Sequence, residues 1–325
     1  MAGRVAAAKN YVELLSNVLF RSGKENRPIL CDSVCLRLHY RWTFGIFMGS
    51  FVTVWYSWYY QHVIECRSHY NAQEATNGTY LNLCLSYPYV VDKATSERRY
   101  LLFYRWIPWI FLLLAGAFYL PRNLVKFLDS ASDRQTARYM EEDDEQQLVD
   151  YLLSDAARDV RVCAKMFVTH ATCLLLDVGF LIFVDFCLLD GRFLYYGYEA
   201  YPFRKDPRDF TDVMSSTFPP FVLCQITAET HGLMGQRNET YACHLPLMEL
   251  YEKIFLGLWM WIIICLMILT TCHLTLLAIV SCVGPFLYGG DGNVHLMFLL
   301  KMKMGRREFG RVLNQVRQSQ RLKTL

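Results

Sequence analysis

The stretch Cys243–Gly284, CHLPLMELYEKIFLGLWMWIIICLMILTTCHLTLLAIVSCVG, decides the fold because it joins a cysteine in a polar segment to a long apolar run. No charged residue occurs from Ile254 to Cys282. At a rise of about 1.5 Å per residue, this run more than covers a hydrocarbon core of about 30 Å. It is therefore predicted to span a membrane, and the cysteine before it is predicted to face the oxidising side, where disulfides persist.

The rest of the chain repeats this arrangement of polar segments and apolar runs. Hydrophobic residues make up 54% of the sequence, and charged stretches separate them into blocks, which is typical of an integral membrane protein. Four spans are predicted, at 42–64, 106–127, 166–189 and 254–283. The first forty residues lack a signal-peptide pattern, so the first span is expected to act as its own start signal. A net charge of +3 gives no support for nucleic-acid binding.

Lysine and arginine set the predicted orientation. They are frequent in 1–41, 122–165 and 284–325 and sparser in 65–100 and 190–253. The segments outside the predicted spans are 1–41, 65–105, 128–165, 190–253 and 284–325. By the positive-inside rule, both termini and the middle segment are cytosolic, and the other two segments are extracellular loops. The predicted fold class is an all-α membrane protein: a bundle of four transmembrane helices, two disulfide-stapled extracellular loops and a helical cytoplasmic domain.

Each predicted extracellular loop contains two cysteines, Cys66 and Cys84 in the first and Cys224 and Cys243 in the second. Pairing within each loop would close two rings of similar size, each stabilising by about 3 kcal/mol. Pairing between the loops is equally allowed, because four cysteines admit three connectivities. The loops also contain sequons, and these are possible N-glycosylation sites. Their asparagines are Asn77 and Asn238.

Two stretches are candidates for lining an aqueous path. Residues 5–20 have apolar side chains at helical spacing, which predicts an amphipathic helix that is either an interfacial anchor or folded into a channel mouth. The first span has small residues at four-residue intervals, which either allow close helix packing or line a watery path. The candidate residues are Val12, Leu15, Leu19, Gly45, Gly49, Thr53 and Ser57.

The third span contains ionisable residues, His170, Asp177 and Asp185. Such groups are costly at membrane depth unless they face a bundle interior or water, which makes them functional candidates. Hydrogen bonding between helices and pore lining both remain open for them. In the second span, Pro108 favours a kink or a helix start, and Pro121 predicts the inner boundary.

The sequence contains no motif that predicts catalysis. HExxH, the Walker A lysine loop, GxGxxG after a strand and the GxSxG elbow are all missing, and the histidines do not have metal-ligand spacing with the cysteines. We therefore expect no enzyme activity, no catalytic residue, no cofactor and no metal. A channel and a non-conducting four-span adhesion or scaffold protein remain as alternatives.

Several motifs resemble the innexins, the invertebrate gap-junction family. The most specific lie around the last span, where CHLPL at 243–247, EKI at 252–254 and LWMW at 258–261 are similar to the family's C-x-LPL, EKI and LWxW. Others follow the family's order from Leu36 to Leu300. They are LRLHY at 36–40, FYRWIP at 103–108, DGRFLYYG at 190–197 and FP at 218–219 before Cys224.

The resemblance implies a channel subunit at the plasma membrane or a cell junction. Eight related subunits, identical or mixed, would form a ring, with the N-terminal helix in the cytoplasmic mouth and the first span and first loop along the pore. Two rings docked through the extracellular loops would form a gap junction. A single undocked ring would be a hemichannel that passes ions and small metabolites.

Overall fold

The structure is a computed structural model that describes residues 32–60, 63–68, 78–91, 96–129, 146, 149–150, 161–201, 212–226, 239–287, 301 and 306–323. The chain divides into two compact units, which are described separately below. The first unit comprises Met1–Gly45, Gly116–Val178 and Cys265–Leu325. The second comprises Ile46–Ala115 and Gly179–Ile264.

Three described helices are long and apolar enough to cross a membrane: Ile107–Leu128, Ala164–Leu188 and Pro246–Cys282. They coincide with the second, third and fourth predicted spans, although the last helix begins eight residues before position 254. The predicted first span is not among them. Its helix, Phe44–Tyr60, has 17 residues and many tyrosines and tryptophans, whereas a span needs about 20 predominantly apolar residues.

The described α-helices are α1 Val34–Arg37, α2 Phe44–Tyr60, α3 Gly78–Ser86, α4 Ile107–Leu128, α5 Arg161–Ile182, α6 Tyr196–Glu199, α7 Val213–Thr217, α8 Pro246–Trp259, α9 Ile268–Leu287 and α10 Arg306–Lys323. Three wider, π-helical turns continue these helices, at Leu38–Thr43, Phe183–Leu188 and Met260–Met267. Helical structure is therefore continuous from Val34 to Tyr60.

The two prolines of α4 lie at different places in the helix. The helix begins at Ile107, so Pro108 lies in its first turn, where a missing N–H costs nothing, and the predicted helix start is confirmed. The helix continues through Pro121 to Leu128, so Pro121 does not end the helix, and the inner boundary of the span there stays a prediction. Proline is tolerated inside membrane helices because local adjustments and neighbouring groups can satisfy the freed carbonyl.

The second unit contains a five-stranded antiparallel sheet, which the all-α prediction did not include. Its strands are β1 Glu65–Ser68, β2 Tyr89–Val91, β3 Arg98–Tyr100, β4 Phe221–Ile226 and β5 Glu239–His244. Their order in the sheet is β1-β5-β4-β2-β3. The strands have only three to six residues each, so alternation of apolar and polar residues gives little signal in the sequence.

Aromatic side chains form the core of the second unit. Phe47 packs against Phe111 and Phe180, with ring centroids 6.3 and 5.7 Å apart. Tyr104 is buried and donates a hydrogen bond to the Val63 carbonyl at 2.9 Å. Burial raises the pKa of the Tyr104 phenol, so the phenol keeps its proton, and with it this bond, well above physiological pH.

Candidate functional site: a disulfide-linked sheet and two polar clusters

Two disulfides join the predicted extracellular loops to each other. Cys66 pairs with Cys243, and Cys84 pairs with Cys224. Of the three connectivities that the sequence leaves open, the structure has one in which both bonds run between the loops. The strand register explains the first pair, because Cys66 on β1 lies directly opposite Cys243 on β5.

The strands make the same connection between the loops. β1, from the first loop, pairs with β5 from the second, and β2 pairs with β4 at Tyr89 opposite Leu223. All four disulfide cysteines are buried. The two loops therefore form one cross-linked domain instead of two separately stapled rings.

Arginine side chains add polar contacts between the loops. Arg98 donates to the Gln225 side chain at 2.8 Å, and its guanidinium lies 5.0 Å from the centre of the Tyr89 ring. Arg99 of the first loop and Arg192 of the second both donate to the Ser216 carbonyl, at 2.9 and 3.2 Å. These bonds fix β3 and the turn after the third span around helix α7.

Several stretches that resemble the innexins, although distant in sequence, meet in the second unit. Trp259 of LWMW lies against Gly197 of DGRFLYYG, and its indole N–H donates to the Leu194 carbonyl at 2.9 Å. Phe218 of the FP pair lies between Phe255 and Tyr196, with ring centroids 5.1 and 5.7 Å away. These motifs are therefore parts of one packing cluster beside the sheet.

We expect Gly197→Ala to destabilise the protein by about 1–3 kcal/mol, the usual cost of overpacking. A Cβ atom at this position would overlap three carbon atoms of the Trp259 indole. The measurement is the thermal unfolding of the purified variant. Gly257→Ala is the matched control, because a Cβ there meets no described atom within 4 Å. Equal stability of the two variants would contradict the prediction.

Asp185, an intramembrane polar candidate, is a capping residue in the structure. Its carboxylate oxygen accepts hydrogen bonds from the backbone N–H groups of Phe193 and Leu194, at 2.7 and 2.9 Å. The intervening turn contains left-handed backbone at Asp190, φ +51°, and Gly191, φ +80°. Asp185 thereby stabilises the turn that positions DGRFLYYG.

The other two intramembrane candidates lie in the first unit, where both contact the first helical segment and helix α9. Asp177 shares a hydrogen bond with the buried His39 ring, whose Nε2 lies 3.1 Å from both carboxyl oxygens. Asp177 also accepts from the Thr270 hydroxyl at 3.4 Å. His170 bonds to Ser33 at 2.9 Å and stacks on His273, with ring centroids 4.7 Å apart. His39 and His273 were not predicted as site residues.

The small-residue stripe of the first span is partly open. Thr53 is exposed, and its hydroxyl donates to the Gly49 carbonyl at 2.8 Å. A Cβ added at Gly49 would meet no described atom within 4 Å, and Gly45 is half-buried. Ser57 is buried, unlike the other three. The candidates Val12, Leu15, Leu19, Asn77 and Asn238 lie outside the described residues.

The sequence is similar to proteins of one known family. A family model described as Innexin matches residues 32–289. The chain is 29% identical over 180 residues to innexin inx2 of Drosophila melanogaster, covering 52% of this chain and 48% of that protein. It is 27% identical to innexin inx2 of Schistocerca americana and 24% identical to innexin shaking-B of Drosophila melanogaster. These two alignments cover 72% of this chain and 73% and 70% of the relatives.

The family match includes the three membrane-length helices, all four disulfide cysteines and the packing cluster around Trp259. It also extends over more than half of the chain. This chain belongs to the innexin family.

Proposed function

We propose that this chain is a subunit of an innexin-type large-pore channel that passes ions and small metabolites. The main support is the second unit, in which both predicted extracellular loops are joined into one disulfide-linked sheet next to membrane-length helices. A cross-linked surface of this kind is suited to docking against a copy on a neighbouring cell, because binding then costs little loop ordering.

The proposal includes four membrane spans with both termini in the cytosol, and a ring of subunits, eight by the resemblance. The first span includes most of the continuous helical segment Val34–Tyr60. The aromatic residues at the end of this segment suit a membrane interface. The stripe Gly45, Gly49 and Thr53 then faces the aqueous path, and selectivity follows from pore diameter and lining charge. Docked rings connect cells, and an undocked ring is a hemichannel.

Electrical recording tests this proposal at two levels. Whole-cell current and dye uptake in single cells report hemichannels, and conductance between paired cells reports junctions. Surface expression without either signal would instead support a non-conducting adhesion or scaffold protein.

We expect Thr53→Cys to make the current sensitive to a charged thiol reagent, because position 53 is exposed on the proposed pore face. The reagent should lower the current several-fold in this variant. Ser57→Cys is the control, since position 57 is buried four residues further along the same helix. Wild type is a second control, because Cys187, Cys265, Cys272 and Cys282 are already exposed. Equal block of all three proteins would exclude this face as the lining.

A further inference from the structure

Three histidines are buried in the first unit, and their surroundings favour different protonation states. His39 and His170 have no exposed surface, and His273 is 7% exposed. His39 contacts a carboxylate, whereas His170 and His273 contact each other. The hydrogen-bond geometry of each histidine then indicates which of its ring nitrogens carries hydrogen.

The His39–Asp177 pair retains a proton. Nδ1 of His39 lies 2.8 Å from the Cys35 carbonyl, which can only accept, so Nδ1 carries hydrogen. Nε2 lies 3.1 Å from both oxygens of Asp177. A bare Nε2 against a bare carboxylate would oppose two lone pairs, so one proton is held between them. The pair is therefore neutral overall, either as an ion pair or as two neutral groups.

The His170–His273 stack suits neutral rings. Nδ1 of His170 lies 2.7 Å from the Met166 carbonyl and therefore carries hydrogen, so Nε2 of the neutral ring accepts from the Ser33 hydroxyl. The rings are nearly parallel, with an interplanar angle of 5° and centroids 4.7 Å apart. The buried Nδ1 of His273 has no hydrogen-bond partner among the described residues. Two imidazolium rings in this position would repel each other strongly.

No buried counter-charge is left to balance a proton on the stack. His39 and His273 act electrostatically on His170, and Cys35 and Asp177 act on Cys173, one turn further along α5. Asp32, next to Ser33, is paired with Arg37 at 2.8 Å, and Cys272 of α9 is exposed. Among the described residues of the first unit, Asp177 is the only buried acidic side chain. Its charge is already matched by His39, so protonated His170 or His273 would be uncompensated.

We propose that the His170–His273 stack is a proton-sensitive contact between helices α5 and α9, which opens when both rings become protonated, while the His39–Asp177 pair keeps its proton throughout. Opening also weakens the Ser33 contact, and Ser33 is the N-cap that accepts from the Leu36 N–H group. Opening separates the two rings and so relieves the repulsion between two imidazolium charges. By linkage, acidification below about pH 6.5, the range in which exposed histidine titrates, favours the opened form.

The test is the apparent Tm of the full-length protein in lipid nanodiscs, measured from pH 7.5 to pH 5.5. We expect the wild-type Tm to fall by about 3 °C or more, a shift typical of a small loss of stability. His273→Phe keeps a stacking ring that cannot be protonated, so its Tm should change much less. His244→Phe is the matched control, because His244 stacks on Phe221 in the second unit and should leave the wild-type slope unchanged.

The slope with pH is the readout, so a variant that is less stable at every pH still gives an answer, and His273→Gln provides a second neutral replacement. Equal slopes in wild type and both His273 variants would overturn the proposal. The measurement does not depend on conductance. A flat current record therefore tests the channel function, and an unchanged slope tests the stack.

Discussion

Removing either disulfide is expected to abolish coupling between cells while membrane insertion continues. The double variants Cys66→Ala/Cys243→Ala and Cys84→Ala/Cys224→Ala each delete one bond without leaving a lone thiol. The bonds join residues separated by 177 and 140 positions, and rings of this size stabilise by about 5 kcal/mol on the chain-entropy estimate. Such a loss leaves the short strands of the sheet with a single covalent cross-link between the loops.

Junctional conductance between paired cells is the measurement, and surface biotinylation reports insertion. Cys265→Ala/Cys272→Ala is the matched control, because both of these cysteines are exposed and unpaired in the structure. Normal coupling in both disulfide variants would contradict the prediction. Loss of surface protein in all variants, the control included, would point to a general folding defect.

The connectivity itself can be tested separately. Proteolysis of the unreduced protein should yield one cross-linked peptide pair containing Cys66 and Cys243 and another containing Cys84 and Cys224. Pairing within each loop would instead link Cys66 to Cys84. Mass spectrometry distinguishes these outcomes without any functional assay.

Sequence reasoning identified the cysteines but could not choose their partners. Spacing within each loop allows rings of similar size, and the deciding factor is the register of β1 against β5, which brings Cys66 opposite Cys243. That register depends on contacts across 177 positions of chain. The membrane helices were easier to predict, since a long uncharged apolar run is a local property of the sequence.

The polar residues of the first unit also have partners that are too distant in sequence to be predicted from spacing. Asp177 and His170 are recognisable as functional candidates from the sequence because ionisable groups are unusual inside a span. His39 precedes the first predicted span, and its partner is 138 residues away, so no local spacing connects them. Sequence reasoning therefore found one member of the pair and missed the other.

We expect Asp177→Ala to destabilise the protein by about 3–5 kcal/mol, the cost of removing one partner from a buried pair. His39 would keep its Nδ1 bond to Cys35, but its buried Nε2 would face a cavity instead of a carboxylate. The measurement is the Tm of the purified protein at pH 7.5, together with its surface level in cells. Glu199→Ala is the control, because that carboxylate is exposed.

The double variant His39→Phe/Asp177→Leu separates the cost of an orphaned partner from the worth of the pair. Replacing a buried pair by apolar side chains of similar size is often neutral or stabilising, so the double variant should be more stable than Asp177→Ala. Phe118, whose ring stacks on His39 with centroids 6.1 Å apart, would pack against the new phenylalanine. If the double variant is no more stable than Asp177→Ala, the loss comes from packing around position 177 and not from the unpaired imidazole.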